Sequence, residues 1–211
     1  MNHIRSAVAV IAILTLSHAL YSQNNFRLQA VGGVSFNALT TGVFSNWRDG
    51  WTFGGGASYP ISPSIELGLN IAYSHHAYRG DNLQLVFPAV AGFQWSVAGQ
   101  PSNVIEASIT ARASTEASFI NPFLSLTTGL YRLNIGEIII STWFDSNPQN
   151  VSRSTYNGSG VSSTKGFAAL GLGFSIPLDS SIRIALEGRF TQTFNSQESF
   201  IPLLTRIQFD L

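Results

Sequence analysis

The sequence predicts an all-β chain folded as an antiparallel, up-and-down β-barrel that crosses a membrane, with eight strands and ten as the alternative. Three observations predict it. Residues 65–73 set Ile65, Leu67, Leu69, Ile71 and Tyr73 on one parity against Glu66, Gly68, Asn70 and Ala72 on the other, the alternation of a strand with one apolar and one polar face. The same rhythm returns along most of the chain, the second parity being rich in Gly, Ser, Thr and Gln, as expected where one face meets lipid and the other a lumen. Beyond the first two dozen residues no stretch reaches the ~20 apolar residues of a helical span, so a crossing must use strands.

The N-terminal end reads as a removable export signal. Arg5 precedes an apolar run at residues 7–16, and small and polar residues then lead to Gln23; the run is too short to span a bilayer. Residues 1–22 are therefore expected to be the signal, with cleavage after Ser22 preferred to Ala19, and residues 23–211 to form one barrel domain. The chain has no cysteine, so disulfides, thiolate metal sites and cysteine nucleophiles are excluded. Eleven basic residues balance eleven acidic ones, and charged residues make up 10% of the chain. That argues against a nucleic-acid surface, which needs clustered Lys and Arg. A hydrophobic content of 45% excludes general disorder.

Strand one is expected at residues 25–36, with Phe26, Leu28, Ala30, Val34 and Phe36 opposite Arg27, Gln29 and Ser35. Residues 37–50 read as a polar loop. Strand two, 51–59, carries Trp51 and Tyr59 at its ends, where such rings favour the headgroup layer. The prolines and serines of residues 60–64 make a tight turn. Strand three runs from 65 to near His75, and residues 83–97, with Leu83, Leu85, Phe87, Phe93, Trp95 and Val97 on one parity, read as strand four. Strands five to eight follow at 122–132, 166–176, 182–190 and 201–211. Residues 177–181 form a second tight turn, and 145–164 a long polar connection.

Residues 103–117 fit two structures. Asn103 with Glu106 three positions later resembles a helix capping box, while Ile105, Ala107, Ile109, Ala111 and Ala113 alternate with Glu106, Ser108, Thr110 and Arg112. As a helix the segment is an insert at a turn; as a strand it helps to make a ten-stranded barrel, with residues 137–144 as the other extra strand. Connection lengths set the orientation: the tight turns fall in the periplasm and the long polar loops outside the cell. In the eight-stranded version the connection near Asn103 breaks that rule.

Residues 121–132, Asn-Pro-Phe-Leu-Ser-Leu-Thr-Thr-Gly-Leu-Tyr-Arg, and the Gly-alternating residues 167–177 resemble strands of the small OmpA-like and porin-like outer-membrane barrels of Gram-negative bacteria. The resemblance covers residues 25–211. The ending Phe209-Asp210-Leu211 is similar to the terminal signal by which the assembly machinery recognises such barrels, and departs from it in its final Leu and in Arg206, where Gly is common. The resemblance implies insertion in the outer membrane after export, with membrane lipid and the barrel assembly machinery as partners.

Seven charged residues fall on the lumen parity: Arg27, Glu66, Arg183, Glu187, Arg189, Arg206 and Asp210. An eight-stranded barrel is only wide enough for side chains to fill it, and an isolated buried ion is very costly, so these charges are expected to pair as a structural polar core. A gated ion path, as proposed for some relatives, is the alternative. A hairpin closed between Phe194 and Phe200 brings Arg206 opposite Glu187 or Arg189, and Glu187 is the expected partner. His75 and His76 lie beside Ser74, and lipid A-modifying barrels use His with Ser and an acid near this level. Here no acid is placed to orient either ring, and adjacent histidines point to opposite faces of a strand, so neither a triad nor a metal site converges. Arg79-Gly80-Asp81 matches the integrin-binding tripeptide, but Gly-Asp is ordinary turn chemistry. The expected function is non-enzymatic, without cofactor or metal: a structural or surface-interaction protein acting through its outer loops on an unidentified ligand. A narrow channel for small solutes or ions is the alternative, ahead of a lipid A-modifying enzyme.

Overall fold

The computed structural model describes residues 26–37, 47–79, 93–115, 119–144, 152–156, 162–194 and 199–211. They form eleven strands: β1 (Arg27–Asn37), β2 (Trp47–Ser62), β3 (Ile65–Tyr78), β4 (Phe93–Gly99), β5 (Ser102–Ser114), β6 (Asn121–Asn134), β7 (Ile138–Phe144), β8 (Ser152–Tyr156), β9 (Ser162–Pro177), β10 (Ile182–Thr193) and β11 (Ser199–Asp210). Strands β1, β2, β3, β5, β6, β9, β10 and β11 close a barrel, in which each pairs antiparallel with its neighbours and β11 returns to β1. The other strands form a separate sheet in the order β4-β7-β8.

The barrel is polar inside and apolar outside. Gln29, Thr52, Asn70, Thr110, Thr127, Arg206 and Gln208 are buried, whereas Leu69, Ile71, Leu126 and Leu172 on the opposite parity are 55%, 67%, 59% and 66% exposed. In water such a continuous apolar wall would drive aggregation; in a bilayer it meets a solvent of its own kind. Barrel strands of 11 to 16 residues meet or exceed the ~9–11 that a tilted transmembrane strand needs. At seven, seven and five residues, β4, β7 and β8 fall short of it.

The two ends of the barrel differ. At the turn end lie the connections at 63–64, 115–120 and 178–181, together with Phe26 and Leu211, whose backbones bond to each other at 2.9 Å. At the loop end the chain makes longer excursions, two of which contain β4 and the β7-β8 pair.

One expectation is corrected and two open alternatives are decided. The fourth barrel strand is β5, not residues 83–97: of these, 83–92 lie outside the described residues and 93–97 belong to β4, which pairs with β7. Alternation reports one apolar face without saying whether lipid or protein covers it. Residues 103–114 are strand and not helix, locked between β3 and β6 in register, and Glu106 of the apparent capping box bonds Arg189 and Ser108 instead. Residues 138–144 are strand, as the ten-stranded alternative required, but lie outside the barrel, which keeps eight strands. Residues 1–22, read as an export signal, and Gly80 and Asp81 lie outside the described residues.

Candidate functional site: a filled lumen beneath an apolar cap

Halfway along the lumen, Glu187 on β10 and Arg206 on β11 form an ion pair, Arg206 Nη2 standing 2.8 Å from Glu187 Oε2 and Nε donating to the same oxygen at 2.9 Å. The register sets Arg206 opposite Ala185, diagonal to Glu187, so a long side chain spans the offset. Glu187 Oε1 accepts from Ser125 Oγ at 2.6 Å, reaching across β9 to β6. That reach needs Gly171: a Cβ there would collide with both Ser125 Oγ and Glu187 Oε1. Arg206 Nη1 donates to Asn70 Oδ1, which also accepts from Gln29, while Asn70 Nδ2 donates to Thr110 Oγ1 and Thr110 bonds Thr127. Side chains from six of the eight barrel strands thus meet across the lumen.

Toward the turn end, Glu66 is bridged by Arg27 at 2.7 Å, by Arg112 at 3.4 Å and by the amide of Gln208 at 3.2 Å. Arg27 also pairs with Asp210 at 2.7 Å, and Arg183 stands 3.9 Å from that carboxylate. The Arg112 guanidinium lies over the Phe123 ring, 4.5 Å from its centroid. Toward the loop end, Arg189 pairs with Glu106 at 2.9 Å. Between these layers remain small cavities of about 20 Å³ beside Arg112 and Arg183 and about 30 Å³ beside Glu106 and Arg189.

Above the loop-end layer the lumen turns apolar. Val104, Tyr131, Leu133, Phe167 and Ala169 from the barrel wall form one buried cluster with Ile138 and Ile140 of β7, against which Val97 of β4 also packs. Gly99 lets β4 lie flat on the Tyr78 ring, since a Cβ there would enter the ring. Gln100 N–H donates to Glu137 C=O at 2.8 Å and Gly136 N–H to Ser102 Oγ at 2.8 Å, tying the two excursions together. The small sheet is a lid on the lumen, sharing one hydrophobic core with the barrel mouth.

All seven charged residues read from parity point into the lumen and have ionic partners there. Glu106 and Arg112, partners of Arg189 and Glu66, are not among the seven, because the pattern of residues 103–117 fits helix as well as strand. Ser74 and His76 face the lumen, Ser74 bonding Thr52 at 2.7 Å, and both line the 30 Å³ cavity with Glu106. That space holds about one water and no substrate. His75 points outward, its Nδ1 2.9 Å from Asn103 Oδ1. Among the described residues no group of His, Asp and Glu could hold a metal.

This arrangement defines a class: an eight-stranded barrel of the outer-membrane type. Comparison with solved structures gives the same class. The fold is similar to Neisserial surface protein A (NspA), with a TM-score of 0.51 and 11% identity over 90% of this chain and 98% of that one. The N-terminal β-barrel domain of Pseudomonas aeruginosa OprF gives a TM-score of 0.42 at 15% identity, covering 89% of this chain and 98% of that one. Ail, the attachment invasion locus protein of Yersinia pestis, gives 0.42 at 10% identity, covering 88% and 95%. No protein-family profile and no curated protein sequence matches the chain.

Proposed function

We propose that this protein is a non-enzymatic scaffold of the bacterial outer membrane, with its turn end in the periplasm and its capped loop end at the cell surface, where cap and loops meet an external partner. The observation that carries this reading is the filled lumen. Glu187 is 0% and Arg206 2% exposed, and the cavities beside Arg112 and beside Arg189 are water-sized, which supports a lumen plugged by side chains among the described residues. Phe209 and Leu211, both exposed on the lipid parity, suit the role of an assembly signal. Reconstitution into planar bilayers tests the reading. The wild-type protein should give no discrete conductance steps; steady openings would replace the scaffold by a channel.

A narrow channel is the second reading, and one observation favours it. Buried Nε atoms of Arg112 and Arg183 at the lower cavity, and Arg189 Nε and Thr191 Oγ at the upper, have no hydrogen-bond partner among the described residues, so both cavities are polar and suited to water. If the Glu187–Arg206 pair is a gate between them, Glu187→Ala should raise conductance sharply. Silence in both proteins leaves the scaffold.

A further inference from the structure

The outer face of β2, β3, β5 and β6 is layered. In one row Gly55, Ile71, Ala107 and Leu130 stand side by side, and in the next row toward the turn end Ala57, Leu69, Ile109 and Thr128. Small residues between large ones make a concavity on a wall that would otherwise bulge, an apolar groove of about 830 Å³. One row nearer the loop end, about 7 Å along the strands, come Phe53, Tyr73, Ile105 and Arg132; beyond them stand Trp51, His75, Asn103 and Asn134.

Arg132 is the unexpected member. It is exposed on the lipid parity, whereas the lumen arginines described above are all paired. Its Nε donates to Ser162 Oγ at 3.1 Å, and its terminal NH₂ groups have no partner among the described residues. Asn103 Oδ1 accepts from Tyr73 OH at 2.6 Å and from His75 Nδ1 at 2.9 Å, which leaves its NH₂ as a donor. The Trp51 ring stacks on His75 with centroids 5.3 Å apart and lies 5.7 Å from Tyr73, an aromatic patch of the kind that sits at headgroup depth.

We propose that this face is a binding site for one membrane lipid with an anionic phosphate headgroup. The phosphate is held by the Arg132 guanidinium and the Asn103 amide, and an acyl chain lies along the groove below. A guanidinium fork suits phosphate, and the groove begins one residue pair below it. A second copy of the chain fits less well. Asp49 is the one carboxylate on the outward parity of the barrel strands among the described residues, and β2, which carries it, lies three strands from β6. The site rests on the barrel's being embedded in a membrane, but not on whether the lumen conducts, so the bilayer test and the one below can fail separately.

The full chain, folded in an uncharged detergent, would be offered phosphatidylglycerol or phosphatidylcholine with the same acyl chains and examined by native mass spectrometry. Wild type should retain one phosphatidylglycerol in preference to phosphatidylcholine. Arg132→Gln should cut that preference about fivefold, the size one basic residue adds at an anionic membrane surface, while Arg79→Gln leaves it unchanged. Ala107→Phe, which fills the groove, should weaken retention of both lipids. The shifted gel mobility of unheated protein reports folding; if Ala107→Phe fails it, Arg132→Gln decides alone, because that side chain is exposed. Unchanged preference in Arg132→Gln overturns the proposal. So does lipid retained without saturation at one copy, or a dimer that Ala107→Phe dissolves.

Discussion

The middle of the lumen and the cap above it are equally buried and built from opposite chemistries, and β6 passes through both on a single parity. Ser125 and Thr127, at 1% and 0% exposure, face the Glu187–Arg206 layer; Tyr131 and Leu133, at 2% and 1%, face the cap. The change takes about 13 Å of strand. Within the membrane span, lipid already covers the apolar side chains, so the interior is left to groups that satisfy one another by hydrogen bonds and ion pairs. Beyond it the surroundings are water, and the ordinary hydrophobic effect organises Ile138, Ile140, Tyr131 and Phe167 into a core. Burial therefore means electrostatic closure in one region and apolar packing in the other, and the two should fail differently.

The largest effect is expected at the centre. Removing one partner of a buried ion pair strands the other, typically at about 3–5 kcal/mol, whereas replacing both partners is often close to neutral. Glu187→Gln should therefore strongly lower the unfolding midpoint of the barrel in detergent, read by the loss of its shifted gel mobility with temperature. Glu187→Gln with Arg206→Gln should recover most of that loss. Simple addition of the two single effects would mean that the pair does not act as a unit.

A smaller and local effect is expected in the cap. Ile138 is fully buried against the barrel mouth, and Ile138→Ala removes apolar contact without creating an unpaired charge. The loss should be about 2 kcal/mol, the low end for such truncations, because a small sheet can settle into the space. It should appear as faster trypsin cleavage after Arg153, in β8, with the barrel's heat stability unchanged. A fall in barrel stability equal to that of Glu187→Gln would show that the two regions are one cooperative unit.

The same contrast explains what could be read from the sequence. Lipid demands an apolar residue at every second position, so the barrel strands were legible, and the lumen parity identified Arg27, Glu66, Arg183, Glu187, Arg189, Arg206 and Asp210 without coordinates. The fourth strand was misplaced because β4 also alternates, its apolar side turned to a protein core instead of lipid. One signal could have corrected it. Assigning residues 102–114 to the barrel makes 115–120 a short connection and removes the violation of the turn rule near Asn103, and it also brings Glu106 and Arg112 into the lumen as partners of Arg189 and Glu66. The cap was not legible. Tyr131, Leu133 and Phe167 sit on the parity that is polar elsewhere, and single apolar residues there look like exceptions until β7 is laid across them.

The smallest expected effect lies at the turn end, where neither lumen chemistry nor cap packing contributes. Asp179 Oδ1 accepts backbone N–H bonds from Ser181 and Ile182, each at 2.7 Å, and so shapes the turn that feeds β10. An Asp closing such a turn on its own backbone is ordinary turn chemistry, and here the carboxylate is exposed, so water can replace part of what is lost. Asp179→Ala should cost about 1 kcal/mol, the net worth of a typical hydrogen bond. Asp179→Asn keeps an acceptor oxygen and should recover most of it. Both variants should leave cleavage at Arg153 and the lumen pair undisturbed, and should show themselves in a modest fall of the unfolding midpoint and in slower folding into detergent if this hairpin forms early. A loss as large as that of Glu187→Gln would mean that barrel closure depends on the turn end, where Arg27, Asp210 and the Phe26–Leu211 backbone bond join β1 to β11, and not on the ion pair at the centre.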